Sequence, residues 1–561
     1  MRNKEVADIL YEIADYLEMQ DVEWKPRAYR RAGRNIESLS EDIEDIHERG
    51  ELEEIDGVGE NIAGKIAELL ETGELEYYQE LKEDLPVDIE ALTAVEGLGP
   101  KSVKKIYRSI GVTDLDELEE AAEEGEIAGI EGFGEKTQEN ILKHIETARK
   151  GEERMLLGKA FPIAESLREE LEESELFGEV TIVGSFRRRR PTVGDIDILG
   201  TSKKPEEAME YFTSRDDVKE ILGKGETKSS VVISGGLQVD LRLVEEKSYG
   251  SALQYFTGSK DHNVTLRTIA VEKDWKLNEY GLFDSEENRL AGKTEESIYS
   301  KLQMDFIEPE LREDTGEVET AQKNALPELV EREDIKGDLQ MHTEYSDGSD
   351  SIEEMAQKAE ELGYEYILIT DHGPSLRIAS GIDEEKIREQ EQEITRLNEE
   401  TGIEILHGIE ANITEKGVDI SDKLMEELDL VVAALHNRVD NPTEKIIEAL
   451  ENHPVDIFAH PYNRMINKRE PMDLDMEKIV RTASENHVAL EINSQPSRLD
   501  LPWQDIKEHR ENVRYVVSTD AHSTSELDYM HLGVSQARRG WCEKENILNT
   551  LSLEEMRSYF E

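Results

Sequence analysis

Apolar residues past position 335 gather into short unbroken runs: Tyr366-Ile367-Leu368-Ile369-Thr370, Leu430-Val431-Val432-Ala433-Ala434 and Tyr515-Val516-Val517-Ser518-Thr519. Runs of this length and composition are the mark of strands buried on both faces. Between them, Ser351 to Gly363 and Thr443 to His453 carry apolar residues at helical spacing. The alternation predicts parallel strands joined by crossover helices. Closed into a barrel, such strands deliver their C-terminal ends to one face. The first half is patterned differently. Val180-Thr181-Ile182-Val183, Asp195-Ile196-Asp197-Ile198-Leu199 and Leu237-Gln238-Val239-Asp240-Leu241-Arg242-Leu243 alternate or nearly so, as half-buried strands do. Before residue 150 three Gly-x-Gly turns each open a helical pattern, as in Asn61-Ile62-Ala63-Gly64-Lys65-Ile66 and Lys101-Ser102-Val103-Lys104-Lys105-Ile106. Residues 314 to 334 lack strong periodicity and include Gly316 and Pro327, which predicts a linker between the two halves.

Length and charge change this picture in two ways. A chain of 561 residues is long enough for several folding units, roughly three to five by the usual prior. Its 130 acidic against 66 basic residues give a formal net charge of -64, which repels nucleic acid in ordinary salt. Acidic runs at 114–126 and 384–393 read as solvated surface. A cytoplasm at molar salt, where the Debye length is about 3 Å, is the economical explanation. Attractive phosphate contacts weaken in the same solvent, so geometry must carry binding there. The single cysteine, Cys542, excludes an internal disulfide. No apolar run approaches the roughly 18 residues that cross a bilayer, and the start lacks a signal-peptide core. The expectation is a cytoplasmic monomer without a membrane partner.

The ends of the later strands carry the chemistry. Asp338-Leu339-Gln340-Met341-His342, Asp347, Asp371-His372, Glu410, His436, His460-Pro461 and Asp520-Ala521-His522 mostly follow apolar runs directly. Imidazole and carboxylate donors converging on one face suit Zn²⁺, Mn²⁺ or Fe²⁺ in a multinuclear site. With Ser346-Asp347-Gly348, Thr370-Asp371-His372, Ala459-His460-Pro461 and Ser518-Thr519-Asp520-Ala521-His522, residues 335–555 resemble the PHP (polymerase and histidinol phosphatase) domain. That resemblance implies a distorted seven-stranded barrel and a phosphoesterase site of two to three metal ions. It implies as ligands His342, Asp347, His372, Glu410, His436, His460, Asp520 and His522. Gln340 stands where the first histidine of the family's His-x-His opening is expected.

A second chemistry sits between residues 184 and 243. Alternation puts Asp195 and Asp197 on one strand face, where two carboxylates can share a pair of divalent cations, and Asp240 supplies a third. Gly184-Ser185 can offer backbone donors to a phosphate, with Arg188 adding charge. Together with Tyr255-Phe256-Thr257-Gly258-Ser259, Asn263, Arg267 and Asn278-Glu279-Tyr280-Gly281, these residues resemble the DNA polymerase X family, which includes polymerase β. By resemblance Asp195, Asp197 and Asp240 bind catalytic Mg²⁺ or Mn²⁺, with Asp240 the base for the primer hydroxyl. Gly184, Ser185 and Arg188 hold the triphosphate of a dNTP. Tyr255, Phe256, Gly258 and Asn263 line its sugar and base, and Arg267 lies against the template.

Glycines 57 and 59, 97 and 99, and 132 and 134 form the three turns ahead of this region. Glycine admits a close phosphate, and the first helical amides can hold it without reading a base. Gly57, Gly59, Gly97, Gly99, Gly132 and Gly134 are therefore candidate DNA contacts of helix-hairpin-helix type. The basic stretch Trp24 to Arg34 resembles the lyase domain of polymerase β, which implies Lys65 as a Schiff-base nucleophile for 5′-deoxyribose phosphate, with Lys25 and Tyr29 in support. A reactive lysine needs a depressed pKa, which neighbouring cations can supply.

The expected architecture is a multidomain α+β and α/β chain. It has a helical lyase-like domain at 1–83, helix-hairpin-helix fingers at 84–150, a nucleotidyltransferase palm at 151–249 and a thumb at 250–313. A linker at 314–334 and the barrel at 335–561 complete it. The expected function is gap-filling DNA synthesis in repair on gapped or nicked DNA, joined to a metal-dependent 3′-5′ exonuclease or related DNA-end phosphoesterase. A small-molecule phosphatase of the histidinol phosphate type, or a catalytically idle DNA-binding half, stay open as alternatives.

Overall fold

The computed structural model describes residues 2–560 apart from positions 21, 23–24, 38–42, 56, 73–74, 96–97, 131, 135, 139–140, 143–144, 146–153 and 438. The chain divides into two compact units, one of residues 1–154, 176–179 and 197–302, the other of residues 155–175, 180–196 and 303–561.

The N-terminal region of the first unit is helical, with a core that runs from Val6 and Leu10 through Ile62 and Ile66 to Ile141 and Ile145. Its three glycine turns repeat one hydrogen-bond pattern. Val58, Leu98 and Phe133 donate to the carbonyls of Ile55, Val95 and Ile130, each at 2.9 Å. Gly59, Gly99 and Gly134 then accept from the amides three and four residues on, starting a helix. Gly57 has φ +84°, a left-handed conformation that disfavours any side chain. A Cβ at Gly59, Gly99 or Gly134 would meet no described heavy atom within 4 Å, so the helix starts are open. Gly97 lies outside the described residues.

Five strands form the sheet of the candidate palm: β1 (Val180–Ile182), β2 (Asp195–Thr201), β3 (Val218–Lys224), β4 (Lys228–Ile233) and β5 (Gln238–Val244), in the order β1-β2-β5-β4-β3. Lys228 opposes Arg242 and Ser230 opposes Asp240 in the antiparallel pairing of β4 with β5. Tyr249–Thr257, Lys260–Val271 and Glu295–Leu302 are helices, and Lys276–Asn278, Gly281–Phe283 and Arg289–Ala291 make a small antiparallel sheet.

Seven parallel strands build the barrel of the second unit: β6 (Gly337–Met341), β7 (Tyr366–Ile369), β8 (Glu404–Thr414), β9 (Leu430–Ala434), β10 (Ile457–Phe458), β11 (Ala489–Asn493) and β12 (Tyr515–Ser518). Neighbours pair in chain order, and a parallel bridge between Met341 and Ala521 nearly closes the ring. The strands are buried on both faces, which is why their sequences read as unbroken apolar runs. Ile367, Ile405, Val431 and Val517 pack with the surrounding helices; Leu368, Leu406, Val432 and Val516 pack with Leu548 and Met556.

Residues 314–334, expected as a linker, are ordered in this same unit. Helix Glu317–Gln322 forms there, Val318, Ala321, Leu329 and Val330 are buried, and the Val330 amide donates to the Cys542 carbonyl at 2.9 Å. Their apolar residues are too sparse to show a period, and packing supplies the order that the pattern lacks.

Asp456 shows how the barrel handles a carboxylate away from its chemistry. Its Oδ2 accepts the Val431 amide at 2.7 Å, yet burial pushes its pKa up to about 6. A carboxyl raised on folding favours the folded state in its neutral form, so stability falls as pH rises from about 4 to about 6. The substitution Asp456→Asn keeps an acceptor for the amide and removes that loss. The expected result is a denaturation midpoint raised at pH 8, by up to roughly 2–3 kcal/mol in stability, and unchanged at pH 4.

Candidate functional site

Six of the seven barrel strands contribute ligand candidates to one cluster, most of them just past the C-terminal end of the strand. His342 follows β6, Asp371 and His372 follow β7, and Glu410 lies within β8. His436 and His460 stand two residues past β9 and β10, and Asp520 and His522 follow β12. Asp347 is brought in by the tight turn after His342. Glycine is required at Gly348, where a Cβ would lie 2.4 Å from the His342 carbonyl oxygen.

Glu410 is the hub. Its Oε2 lies 2.7 Å from His372 Nδ1 and 3.6 Å from His342 Nε2, and its Oε1 lies 3.1 Å from His460 Nε2 and 3.4 Å from His436 Nε2. Burial opposes ionisation of Glu410, but the facing His436 and His372 outweigh it and hold the carboxyl well below its usual range. Asp520 accepts from His342 at 3.1 Å, while Asp347 lies 3.5 Å from His372 and 3.4 Å from His522. Burial opposes protonation of His522, yet Asp347 and Asp520 push its pKa up to about 10.

Among the described residues, two groups have ligand atoms mutually within 4.8 Å: His342, Asp347, His372 and His522 in one, and His372, Glu410 and His436 in the other. His372 Nδ1 and Glu410 Oε2, though 2.7 Å apart, are not aligned as a hydrogen bond. Buried donors that approach so closely without bonding one another fit ligands aimed at a common cation. All eight ligands expected from sequence therefore converge, and the donor set suits metal ions.

Gln340 has no exposed surface, and neither amide atom has a hydrogen-bond partner among the described residues. Other neighbours brace the cluster. Asp371 accepts from the Thr343 amide and hydroxyl, the Ser346 hydroxyl and Gln390, which fixes the loop after His342. Glu491 accepts the His460 amide, Asn493 bridges Glu491 and Asp520, and Asn412 Oδ1 lies 3.2 Å from His436 Nδ1. In sequence Glu491 and Asn493 are only the polar half of an alternating strand, and nothing sets them apart.

Among the candidate palm residues, Asp195 and Asp197 share the half-exposed face of β2, while Ile196 and Ile198 are buried. Asp240 faces Lys228 at 3.0 Å and accepts from Gln238 at 2.9 Å; burial opposes ionisation, but these partners lower its pKa. Gly184 (φ +64°) and Ser185 open a helical turn directly after Val183. Arg188, expected on a triphosphate, has its Nε 3.3 Å from Glu313, and Arg539 donates to its carbonyl. Asn263 Nδ2 donates to the Tyr255 carbonyl at 2.7 Å, and its Oδ1 accepts from Gln254. Tyr255 meets Phe256 edge-on at 5.1 Å, Arg242 lies over Phe256, and Arg267 donates to the Asn263 carbonyl. Gly258 (φ +72°) ends the helix that carries both rings.

Lys65 Nζ sits 3.3 Å from Asn61 Oδ1 and 4.3 Å above the Tyr77 ring. Lys25 is exposed at the start of its helix. Tyr29, expected in support of Lys65, is 3% exposed and packs in the helical core.

Family models match along most of this order: a helix-hairpin-helix domain at 1–75, a SAM-like helix-hairpin-helix tandem at 89–147, the DNA polymerase beta thumb at 252–313 and the PHP domain at 338–551. The DNA polymerase/3′-5′ exonuclease PolX of Bacillus subtilis is 35% identical over 570 residues, covering 100% of this chain and 99% of that protein. A probable phosphatase of Acetivibrio thermocellus is 32% identical over 191 residues, 32% of this chain and 75% of that protein. A probable phosphatase of Caldanaerobacter subterraneus is 29% identical over 230 residues, 38% of this chain and 85% of that protein.

Proposed function

The chain belongs to the PolX family, and on that premise we propose that it is a DNA-directed DNA polymerase with a 3′-5′ exonuclease in its barrel, acting on short gaps in repair. Full-length similarity to PolX carries the reading, together with a cluster in which His342, Asp347, His372, His522, Glu410 and His436 could hold metal ions.

Both activities depend on divalent metal; Mg²⁺ or Mn²⁺ for synthesis and two to three Mn²⁺, Zn²⁺ or Fe²⁺ for hydrolysis are our assignments. When bound, such ions stabilise the attacking and leaving oxygens of an in-line displacement at phosphorus. Asp195, Asp197 and Asp240 hold the ions of synthesis, and Asp240 takes the proton of the primer hydroxyl. Gly184 and Ser185 cradle the triphosphate with backbone amides, Arg188 supports them from its place beside Glu313, and Tyr255, Phe256, Gly258 and Asn263 line the nucleotide pocket. Arg267 contacts the template. In the barrel, Glu410 bridges the two halves of the cluster while the histidines and Asp347 and Asp520 fix its geometry. The glycine turns hold DNA without reading sequence, and Lys25 adds a cation near the strand. Lys65 is the candidate for lyase chemistry.

No helix among the described residues is long and apolar enough to cross a membrane. We assign the chain to a cytoplasm of high salt, as a monomer.

Similarity to probable phosphatases keeps a second reading of the barrel as an alternative, a small-molecule phosphatase of the histidinol phosphate type. A 5′-labelled primer on one-nucleotide gapped DNA, in Mn²⁺ and molar KCl, separates the two. Extension with dNTPs and shortening without them supports both proposed activities; extension without shortening hands the barrel to the second reading.

Gln340 offers a narrower test. Its carbonyl is a poor ligand for these metals, whereas imidazole is a good one. Gln340→His is expected to raise metal content, measured by elemental analysis, by about one ion per chain. An unchanged content would place Gln340 outside the coordination sphere.

A further inference from the structure

Beside the metal centre the turn after His460 gathers cations. Asn463 is 4% exposed, and its Nδ2 donates to the carbonyls of Leu435 at 2.9 Å and His436 at 3.2 Å. Its Oδ1 accepts from Arg498 Nη1 at 2.9 Å and Arg469 Nη2 at 2.5 Å. One neutral oxygen thus holds two guanidinium groups. Arg498 Nε is 3.8 Å from Asp520 Oδ2, at the edge of the centre, while Arg469 lies on an exposed turn. Arg464 backs the pair by donating to the carbonyls of Arg498 and Leu499.

Two like charges on one acceptor repel. Partial desolvation of the guanidinium lowers the Arg469 pKa, the Arg498 charge lowers it further, and Asp500 opposes both. The nearby acid, Asp500, is fully buried, and its carboxylate oxygens accept no hydrogen bond within the described residues. The chain carries 130 acidic against 66 basic residues, so carboxylates outnumber cations about two to one. Asp520 meets Arg498 only at 3.8 Å through Nε, and the one hydrogen bond from the Arg469 side chain among the described residues goes to an amide oxygen, so both forks can still take an anion; arginine matches phosphate oxygens two at a time.

We propose that Arg469 and Arg498 form a phosphate subsite that grips the phosphodiester next to the one being cleaved, so that the barrel selects a nucleic-acid strand over an isolated phosphate ester. The proposal rests on the phosphoesterase reading given above. Arg498 stands at the centre's rim and Arg469 on the exposed turn, joined to it only through Asn463, so a strand can satisfy both where a lone ester satisfies only the first. Asn463, tied to the His436 loop, sets the register between subsite and centre.

The test uses the full chain with Mn²⁺ and two substrates, a 5′-labelled single-stranded oligonucleotide and thymidine 5′-(p-nitrophenyl) phosphate, which has no neighbouring phosphate. In Arg469→Gln the ratio of kcat/KM for the oligonucleotide to that for the ester is expected to fall about tenfold or more, through KM. Arg469→Lys, which keeps charge without the fork, should fall between. A methylphosphonate at the neighbouring linkage should reduce the wild-type ratio equally and add nothing to the loss in Arg469→Gln. An unchanged ratio overturns the proposal, whether both activities persist or both fall together. Wild-type protein that cleaves neither substrate refutes the phosphoesterase reading itself.

Discussion

Replacing Asp197 with alanine is expected to abolish primer extension while leaving primer shortening intact. On β2, Asp197 alternates with the buried Ile196 and Ile198, so its carboxylate stands on a half-exposed face and its removal opens no cavity in the core. The cost therefore falls on chemistry. A carboxylate that holds the reacting phosphate's cations works chiefly in the transition state, and deleting such a group costs on the order of 10⁴-fold in rate. Labelled primer on gapped DNA measures both reactions in one tube. Equal extension by the variant would remove Asp197 from the polymerase site, and parallel loss of shortening would mean that the substitution damages the fold. Asp195→Ala is the matched control, being the other carboxylate on that face.

The strand-end series was legible because geometry and sequence coincide. Parallel strands buried on both faces must be apolar throughout, so a histidine or acid at their ends stands out, as His436 does two residues after Ala434. The glycine turns were legible for a related reason: three copies of one spacing give three copies of one hydrogen-bond pattern. What stayed hidden has no period. Arg469, Asn463 and Arg498 meet through an irregular turn, and their relation depends on side-chain bonds between residues 35 positions apart or fewer that no local pattern encodes. Tyr29 was hidden too, since nothing in the basic stretch around it tells that it is 3% exposed. Arg188 likewise reads as a free cation until the fold sets it beside Glu313.

Glu410→Gln should produce the mirror image of the palm variant. The substitution keeps size and shape and removes only charge, at a position with no exposed surface on its side chain and four histidines within 3.6 Å of its oxygens. A neutral amide cannot serve as a shared anionic ligand, and its NH₂ group points donors at whichever imidazole or cation faces it. Hydrolysis is therefore expected to fall by about 10³-fold or more, with extension retained, because the loss reaches the geometry of every ligand around the hub. Metal binding gives the independent readout. An ion that binds only the folded chain stabilises it by about 2.7 kcal/mol at a hundred times its dissociation constant. Wild-type protein stripped with chelator should thus gain thermal stability when Mn²⁺ returns, and Glu410→Gln should gain little. If the variant keeps both the Mn²⁺-dependent rise and the shortening of primer, Glu410 is not the bridging ligand. The hub must then be sought in Asp347, which faces His372 and His522 from the other side of the cluster.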